Sequence, residues 1–118
     1  MATQGTICSK VPRAEAIARL NDQLRKTGIG GTIMITDELR RVTGFDPEIL
    51  VAALANYDEF DPDNDPHGER DFGLISYKSE DVIWKVDYYD KSLEFGSEDP
   101  ADPAVTSRVL VLMLAREW

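Results

Sequence analysis

The sequence predicts a single α+β domain with a small, mainly antiparallel sheet and about three helices. The chain has 118 residues, a common length for one domain with its own hydrophobic core. Segments of helical and of strand periodicity alternate without an internal repeat, in the expected order α-β-α-β-β-α. Two neighbouring strand-like runs share a tight turn, which is typical of antiparallel pairing. We expect residues 11–118 to form the domain and residues 1–10 a flexible N-terminal tail.

The first predicted helix runs from Pro12 to Thr27. Ile17, Leu20 and Leu24 share one apolar stripe, and Gly28 is suited to a C-terminal cap. The outer face of this helix is expected to be basic, and it carries Arg13, Arg19, Arg25 and Lys26.

A buried strand and a second helix are predicted next. The strand covers Thr32 to Thr36, because β-branched residues follow the flexible pair Gly30-Gly31. Gly28 to Gly31 follows a helix and precedes a strand, the reverse of a nucleotide-binding loop, so we interpret it as a connector. Asp46 is a predicted N-cap with Pro47 in the first turn, and this helix is expected to end near Asp58.

Two further strands are predicted at Phe72 to Lys78 and Val82 to Tyr89, after a loop that contains prolines and has no apolar period. By the two-residue period of a strand, Trp84 and Tyr88 share an apolar face that we expect in the core. The opposite face is polar and is expected to remain open to a partner: it carries Lys85, Asp87 and Tyr89.

The last predicted helix begins at Asp102-Pro103 and runs through Arg116. Its segment Val109 to Leu114 is apolar on every side, so the helix must be enclosed by the sheet or complete its burial in a homodimer. A buried strand is the alternative interpretation of this segment.

Charge is unevenly distributed along the chain. The net charge is −9, yet residues 1–56 carry six acids and seven bases, whereas residues 57–102 carry fifteen acids and four bases. A surface of this kind repels phosphate backbones and attracts basic proteins and cations. The charge pattern therefore disfavours direct nucleic-acid binding and favours a basic protein or a nucleic-acid-processing complex as the partner.

Cysteine content and hydropathy predict a cytoplasmic protein. Cys8 is the single cysteine, so no intramolecular disulfide can form, as is usual in a reducing compartment. The chain starts without a charged leader followed by an apolar segment, and the longest apolar run, Val109 to Ala115, is too short to span a bilayer. We expect neither secretion nor membrane insertion.

The densest polar cluster lies between Asp61 and Asp71, and it offers weak evidence for a metal or catalytic site. It fits a calcium-binding loop poorly, because Pro66 stands where the turn glycine belongs and Phe72 where the closing glutamate belongs. His67 is the single histidine, which excludes zinc sites built on several histidines. It is a chemically competent general base, but no serine lies in a nucleophile-elbow pattern. We therefore assign no catalytic residue, metal ligand or cofactor.

Two sequence blocks resemble a known family. Asn64 to Gly73 (NDPHGERDFG) and Trp84 to Asp90 (WKVDYYD) are similar to those of small acidic bacterial proteins catalogued as a domain of unknown function, and the resemblance covers nearly the whole chain. Members of that family are often carried on plasmids and other mobile elements, beside genes thought to counter host defence. The resemblance implies a mobile-element protein, and it brings no known catalytic or binding residues.

The leading hypothesis is a non-enzymatic, acidic protein-binding module, such as an anti-CRISPR or anti-restriction inhibitor that mimics DNA in a basic nucleic-acid-binding surface. The alternative is a small metal-binding protein or hydrolase centred on the segment Asp63 to Asp71. The predicted partner-binding residues are Asp58, Glu59, Asp61, Asp63, Asp65, His67, Glu69, Asp71, Asp87, Tyr89 and Asp90.

Overall fold

The computed structural model describes residues 12–118 and confirms the α+β class. Three α-helices and four strands occur in this part of the chain, followed by a short 3-10 helix. The predicted N-terminal tail, residues 1–10, lies outside the described residues. The elements in chain order are α1 (Arg13–Thr27), β1 (Thr32–Ile35), α2 (Asp37–Arg40), α3 (Pro47–Ala55), β2 (Phe72–Tyr77), β3 (Glu80–Tyr89), β4 (Ser107–Leu114) and the 3-10 helix Ala115–Glu117.

The helix boundaries follow from the capping residues that the sequence provides. Gly28 adopts φ 77° and donates its backbone N–H to the Leu24 carbonyl at 2.8 Å, which ends α1. The Asp46 side chain accepts hydrogen bonds from the first backbone N–H groups of α3, and Pro47 occupies the first turn. Both helices were predicted near these boundaries.

The four strands form one mixed sheet in the order β1-β4-β3-β2. The pairs β2–β3 and β3–β4 are antiparallel, and β1–β4 is parallel. Lys78 and Ser79 turn the β2–β3 hairpin with φ angles of 51° and 66°, the left-handed conformation that a two-residue hairpin turn requires. The sheet is therefore mainly antiparallel, as predicted.

The predicted C-terminal helix is wrong, because Ser107–Leu114 is strand β4. Asp102 does not cap a helix; its side chain accepts a hydrogen bond from the Ala104 N–H within a turn. As a strand, the apolar run lies between β1 and β3, which satisfies its backbone on both sides and buries most of its side chains. The prediction of a homodimer through a C-terminal helix therefore loses the helix on which it rested.

The helices cover one face of the sheet. Leu24, Leu39, Leu50 and Leu54 from α1, α2 and α3 pack against Trp84, which is 0% exposed, and against the neighbouring side chains on that face. The predicted core positions of Trp84 and Tyr88 are confirmed, since Tyr88 packs against the same cluster. The other face of the sheet, which we call the open face, lies opposite these α-helices. The C-terminal residues cover part of it, since the Trp118 ring packs edge-on against Phe72.

Candidate functional site

The residues 58–71, which we call the acidic loop, are anchored at their start by Arg25 of α1. Arg25 is 2% exposed, and its Nη1 donates to the carbonyls of Leu54 at 3.1 Å, Ala55 at 3.3 Å and Tyr57 at 2.7 Å. These carbonyls belong to the end of α3 and the residues just after it, where unpaired acceptors accumulate. One buried cation thus fixes the point where the acidic loop leaves α3.

An aromatic cluster supports the Arg25 guanidinium. Its Cζ lies 5.4 Å from the centre of the Phe60 ring and 5.7 Å from that of Trp84, within the range of cation–π attraction. The Tyr57 ring stands edge-on to both Phe60 and Trp84. The first residues of the acidic loop therefore contribute to the hydrophobic core.

Asp22 joins Arg25 to the far end of the acidic loop. One carboxylate oxygen of Asp22 lies 3.0 Å from Arg25, and the other lies 3.0 Å from Arg70. Because Asp22 is largely buried and both partners are cations, this pairing ties the two ends of the acidic loop to α1.

Asn21 is the second anchor on α1, and it is fully buried. Its Nδ2 donates to the Glu69 carbonyl at 3.0 Å and to the Tyr88 hydroxyl at 2.9 Å, while its Oδ1 accepts from Arg108 Nε at 3.0 Å. The Tyr88 hydroxyl donates in turn to Glu69 Oε1 at 2.9 Å. Burial raises the pKa of Tyr88 well above its ordinary value, so the hydroxyl remains a neutral donor.

The acidic loop also organises itself internally. Asp61 Oδ1 accepts from the N–H groups of Asp63 at 2.8 Å and Asn64 at 3.0 Å, and Asp65 Oδ1 accepts from the Arg70 N–H at 3.0 Å. These contacts hold Arg70 at φ 53°, which is unusual for a residue other than glycine. The loop conformation is therefore set both by its own side chains and by α1.

The eleven predicted partner-binding residues divide into two groups by exposure. Those that are exposed are Asp58, Glu59, Asp61, Asp63 and His67, and those that are partly buried are Asp65, Glu69, Asp71, Asp87, Tyr89 and Asp90. Most of the second group take part in internal contacts: Asp65, Glu69 and Asp90 accept hydrogen bonds, and Asp87 pairs with Lys85. Carboxylates that point outward are thus concentrated between Asp58 and Asp63.

The structure does not unite all of these residues on one surface. Asp87 and Tyr89 lie on the open face of β3, whereas Tyr88, which contacts Glu69 of the acidic loop, lies on the helix-covered face. Asp71 remains beside the loop acids: burial first, and then the charge of Glu69, raises the pKa of its carboxyl.

Sequence reasoning missed the buried polar residues of α1. Arg25 was assigned to the outer basic face of that helix, and the structure corrects this assignment. The signal was present in the spacing: Ile17, Asn21, Leu24 and Arg25 recur three or four residues apart and share one helix face. Their carbonyl and hydroxyl partners come from α3, β3 and the acidic loop, which no local pattern identifies.

A second acidic segment, residues 90–106, connects β3 to β4, and we call it the second connection. Asp90 Oδ1 accepts from the Ser92 hydroxyl at 2.7 Å and from the Glu94 N–H at 3.2 Å. These bonds, led by that of Ser92, lower the pKa of Asp90. Arg108 donates to the Pro100 carbonyl, and its Cζ lies 5.3 Å from the centre of the Tyr88 ring. These contacts anchor the second connection to β3 and β4.

No group of three or more His, Cys, Asp and Glu residues within 12–118 is arranged to hold a metal ion. No helix in the same range is both long enough and apolar enough to cross a membrane. Among the described residues, the acidic loop presents an anchored set of carboxylates that are exposed at Asp58, Glu59 and Asp63.

The fold and these loops define a two-layer α+β domain that displays acids from connections anchored to its helical layer. The chain belongs to the family described as "Protein of unknown function (DUF3768)", whose model matches residues 32–117. The match begins at β1, so α1 with Asn21 and Arg25 lies outside it. Comparison with curated proteins and with solved structures found no match.

Proposed function

We propose that this protein is a non-enzymatic binding protein whose acidic loop occupies the basic, nucleic-acid-binding surface of a partner protein. The observation that carries the proposal is the anchoring of the acidic loop by Arg25 and Asn21. Arg25 binds the carbonyls of residues just before the loop, and Asn21 binds the Glu69 carbonyl near its end. These contacts hold the chain without neutralising the carboxylates of Asp58, Glu59 and Asp63.

Rigid display of charge favours binding. A carboxylate array that is ordered before binding loses little conformational entropy when it meets a complementary surface. The region 57–102 carries fifteen acids and four bases, a field that accelerates encounter with a basic partner and repels free nucleic acid. Both properties are expected of a protein that competes with DNA or RNA.

The biological role that fits this chemistry is inhibition of a host defence complex in the cytoplasm. Restriction enzymes and CRISPR complexes hold nucleic acid in positively charged channels, where spaced carboxylates can substitute for phosphates. The resemblance to small bacterial proteins carried on plasmids supports this role as an anti-restriction or anti-CRISPR inhibitor.

The test is displacement of labelled duplex DNA from purified restriction enzymes and CRISPR effector complexes, followed by fluorescence anisotropy. The wild-type chain should displace DNA from at least one complex, less effectively at raised salt. Reversal of the exposed acids Asp58→Lys, Glu59→Lys and Asp63→Lys should weaken displacement more than tenfold.

The matched control reverses three exposed acids outside the acidic loop, Asp81→Lys, Glu94→Lys and Glu98→Lys, and changes the net charge by the same amount. It should compete nearly as well as the wild type. Equal loss of DNA displacement in both triple variants would show that net charge, and not the acidic loop, is responsible. Failure of the wild type to displace DNA from any complex would refute the proposal.

A further inference from the structure

Strand β1 is a free edge of the sheet. It pairs with β4 on one side only, and no strand of residues 12–118 pairs with its other side. The Thr36 N–H donates to the Leu112 carbonyl of β4 at 3.0 Å, so by alternation the peptide groups of Met34 and Thr32 face β4. Those of Ile33 and Ile35 therefore face outward.

A side-chain contact agrees with this orientation. Arg40 Nε donates to the Ile35 carbonyl at 3.1 Å and so satisfies one outward acceptor. Within residues 12–118, the N–H and C=O of Ile33 and the N–H of Ile35 have no hydrogen-bond partner. Exposed edges are usually protected by charged residues, proline or bulges, and Thr32–Ile35 has none of these.

Apolar surface lies directly beside this edge. Met34 projects from β1 on the open face and is 53% exposed. A cavity of about 430 Å³ adjoins it, with Leu93, Val109 and Pro103 in its walls and Lys91 as a nearby cation. An extended backbone at the edge would find both hydrogen-bonding groups and apolar contacts there.

We propose that the occupant of this edge is β1 of a second copy of the chain, paired antiparallel about a twofold axis at Ile33. In this register the outward N–H of each Ile33 donates to the C=O of the other Ile33, and Met34 lies opposite Thr32 of the second copy. The two four-stranded sheets become one sheet of eight strands, and the association is isologous.

Charge complementarity favours a second copy as the occupant. Lys91 lies with Gly30, Gly31 and Thr32 at the start of β1, and Asp37 follows the end of β1. Antiparallel pairing brings the end of one β1 to the start of the other, so Asp37 of each copy approaches Lys91 of its counterpart. The twofold axis creates this pairing twice. Arg40 lies at the same end of β1, where its Nε donates to the Ile35 carbonyl.

The edge is short, so the dimer is expected to be weak. Four residues and the adjoining cavity offer less than the roughly 800 Å² per partner of a standard stable interface. We expect self-association with a dissociation constant in roughly the micromolar range.

Two matched variants test the proposal by sedimentation velocity over a concentration series. Met34→Lys places like charges diagonally across the proposed axis and should abolish the dimer. Leu74→Lys is the control, because Leu74 is also 53% exposed on the open face but lies on the opposite edge strand, β2; it should dimerise like the wild type. A monomeric wild type at 100 times the expected dissociation constant, or equal loss in both variants, would overturn the proposal.

Amide hydrogen exchange provides a test that does not depend on mutation. The Ile33 and Ile35 amides should become protected as the wild-type concentration rises, while the Met34 amide, which faces β4, should be protected at every concentration. Protection of Ile33 in a monomer would assign the edge to another occupant, such as residues 1–11 or a strand of a different protein, and would refute the second copy.

Discussion

The acidic loop and the second connection are built in similar ways but expose different chemistry. Each carries an excess of acids, and each is held by a buried arginine that donates to backbone carbonyls, Arg25 in the first and Arg108 in the second. The acidic loop exposes carboxylates at Asp58, Glu59 and Asp63. The second connection exposes Glu94 and Glu98, but beside them it also exposes large apolar side chains, namely Leu93, Phe95 and Val105.

This difference depends on which carboxylates are engaged in internal hydrogen bonds and ion pairs. In the second connection, Asp90 and Asp102 accept backbone hydrogen bonds of their own turns, and Asp99 pairs with Arg13 at 3.0 Å. In the acidic loop, Asp61 and Asp65 are used in the same way, but Arg25 and the Asn21 amide anchor the chain through backbone carbonyls, so Asp58, Glu59 and Asp63 remain directed outward. Charge-driven binding is therefore expected mainly from the acidic loop.

The largest expected effect comes from removing the anchor of the acidic loop. Arg25→Ala leaves the carbonyls of Leu54 and Tyr57 without their donor and Asp22 with Arg70 as its remaining partner, and it opens a gap beside Trp84. Loss of one partner of a buried ion pair typically lowers the free energy of unfolding by about 3–5 kcal/mol. Urea denaturation measures the change.

The control for this prediction is Arg19→Ala, on the exposed face of the same helix. Arg19 pairs with Glu15 at 2.7 Å, and both side chains are largely exposed, so the loss should stay below about 0.5 kcal/mol. Similar losses in the two variants would show that α1, and not the anchoring of the acidic loop, determines stability.

Alanine substitutions at two separate glycines, Gly73 and Gly96, should give the next largest difference in stability. A Cβ at Gly73, where the acidic loop enters β2, would lie 2.4 Å from Trp84 Nε1 and 2.6 Å from Tyr57 Cζ. Gly73→Ala should therefore destabilise the fold by about 1–3 kcal/mol through overpacking. At Gly96 in the second connection the nearest atom is the Tyr88 carbonyl oxygen at 3.9 Å.

Gly96→Ala should consequently leave stability within about 0.5 kcal/mol of the wild type. Thermal unfolding of the two variants side by side is sufficient to rank them. A larger loss of stability in Gly96→Ala would contradict the view that the junction of the acidic loop with β2 is more tightly packed than the second connection.

The sequence predicted most of the fold but misassigned its last element. The helices α1 and α3 and the strands β1, β2 and β3 are confirmed, because each has a local signature of period, cap or turn. The six-residue run Val109 to Leu114 fits a buried helix or a buried strand equally well. Its place between β1 and β3 depends on long-range pairing, and so does the parallel β1–β4 contact.

The sequence shows where the acids of the candidate site are concentrated, but not how the acidic loop that carries them is anchored. The charge pattern identified the acidic loop, and the exposure of Asp58, Glu59 and Asp63 is consistent with that prediction. Burial of Arg25 and Asn21 depends on carbonyls contributed by residues about thirty to fifty positions away. A helical pattern shows which residues share a face, but not which polar groups will meet it.

The smallest expected effect concerns pH, and it has opposite signs in the two segments. Burial, then the charges of Glu69 and Asp65, raise the pKa of Asp71, and a backbone hydrogen bond followed by His67 offsets part of this increase. The folded state therefore binds this proton more tightly than the unfolded state, and ionisation of Asp71 lowers stability as pH rises. Hydrogen bonds lower the pKa of Asp90, so its stabilising contribution is lost as pH falls.

Two variants separate these contributions when unfolding is measured from about pH 3 to 6, the range around an ordinary aspartate pKa. Relative to the wild type, Asp71→Asn should become more stable as pH rises, because it removes the unfavourable ionisation. Asp90→Ala should become less stable as pH rises, since it lacks a carboxylate that stabilises the second connection only when ionised. If the stability difference from the wild type changes with pH in the same direction for both variants, Asp71 is as well solvated or hydrogen-bonded as Asp90. The two segments would then not differ in how they affect an ionised carboxylate.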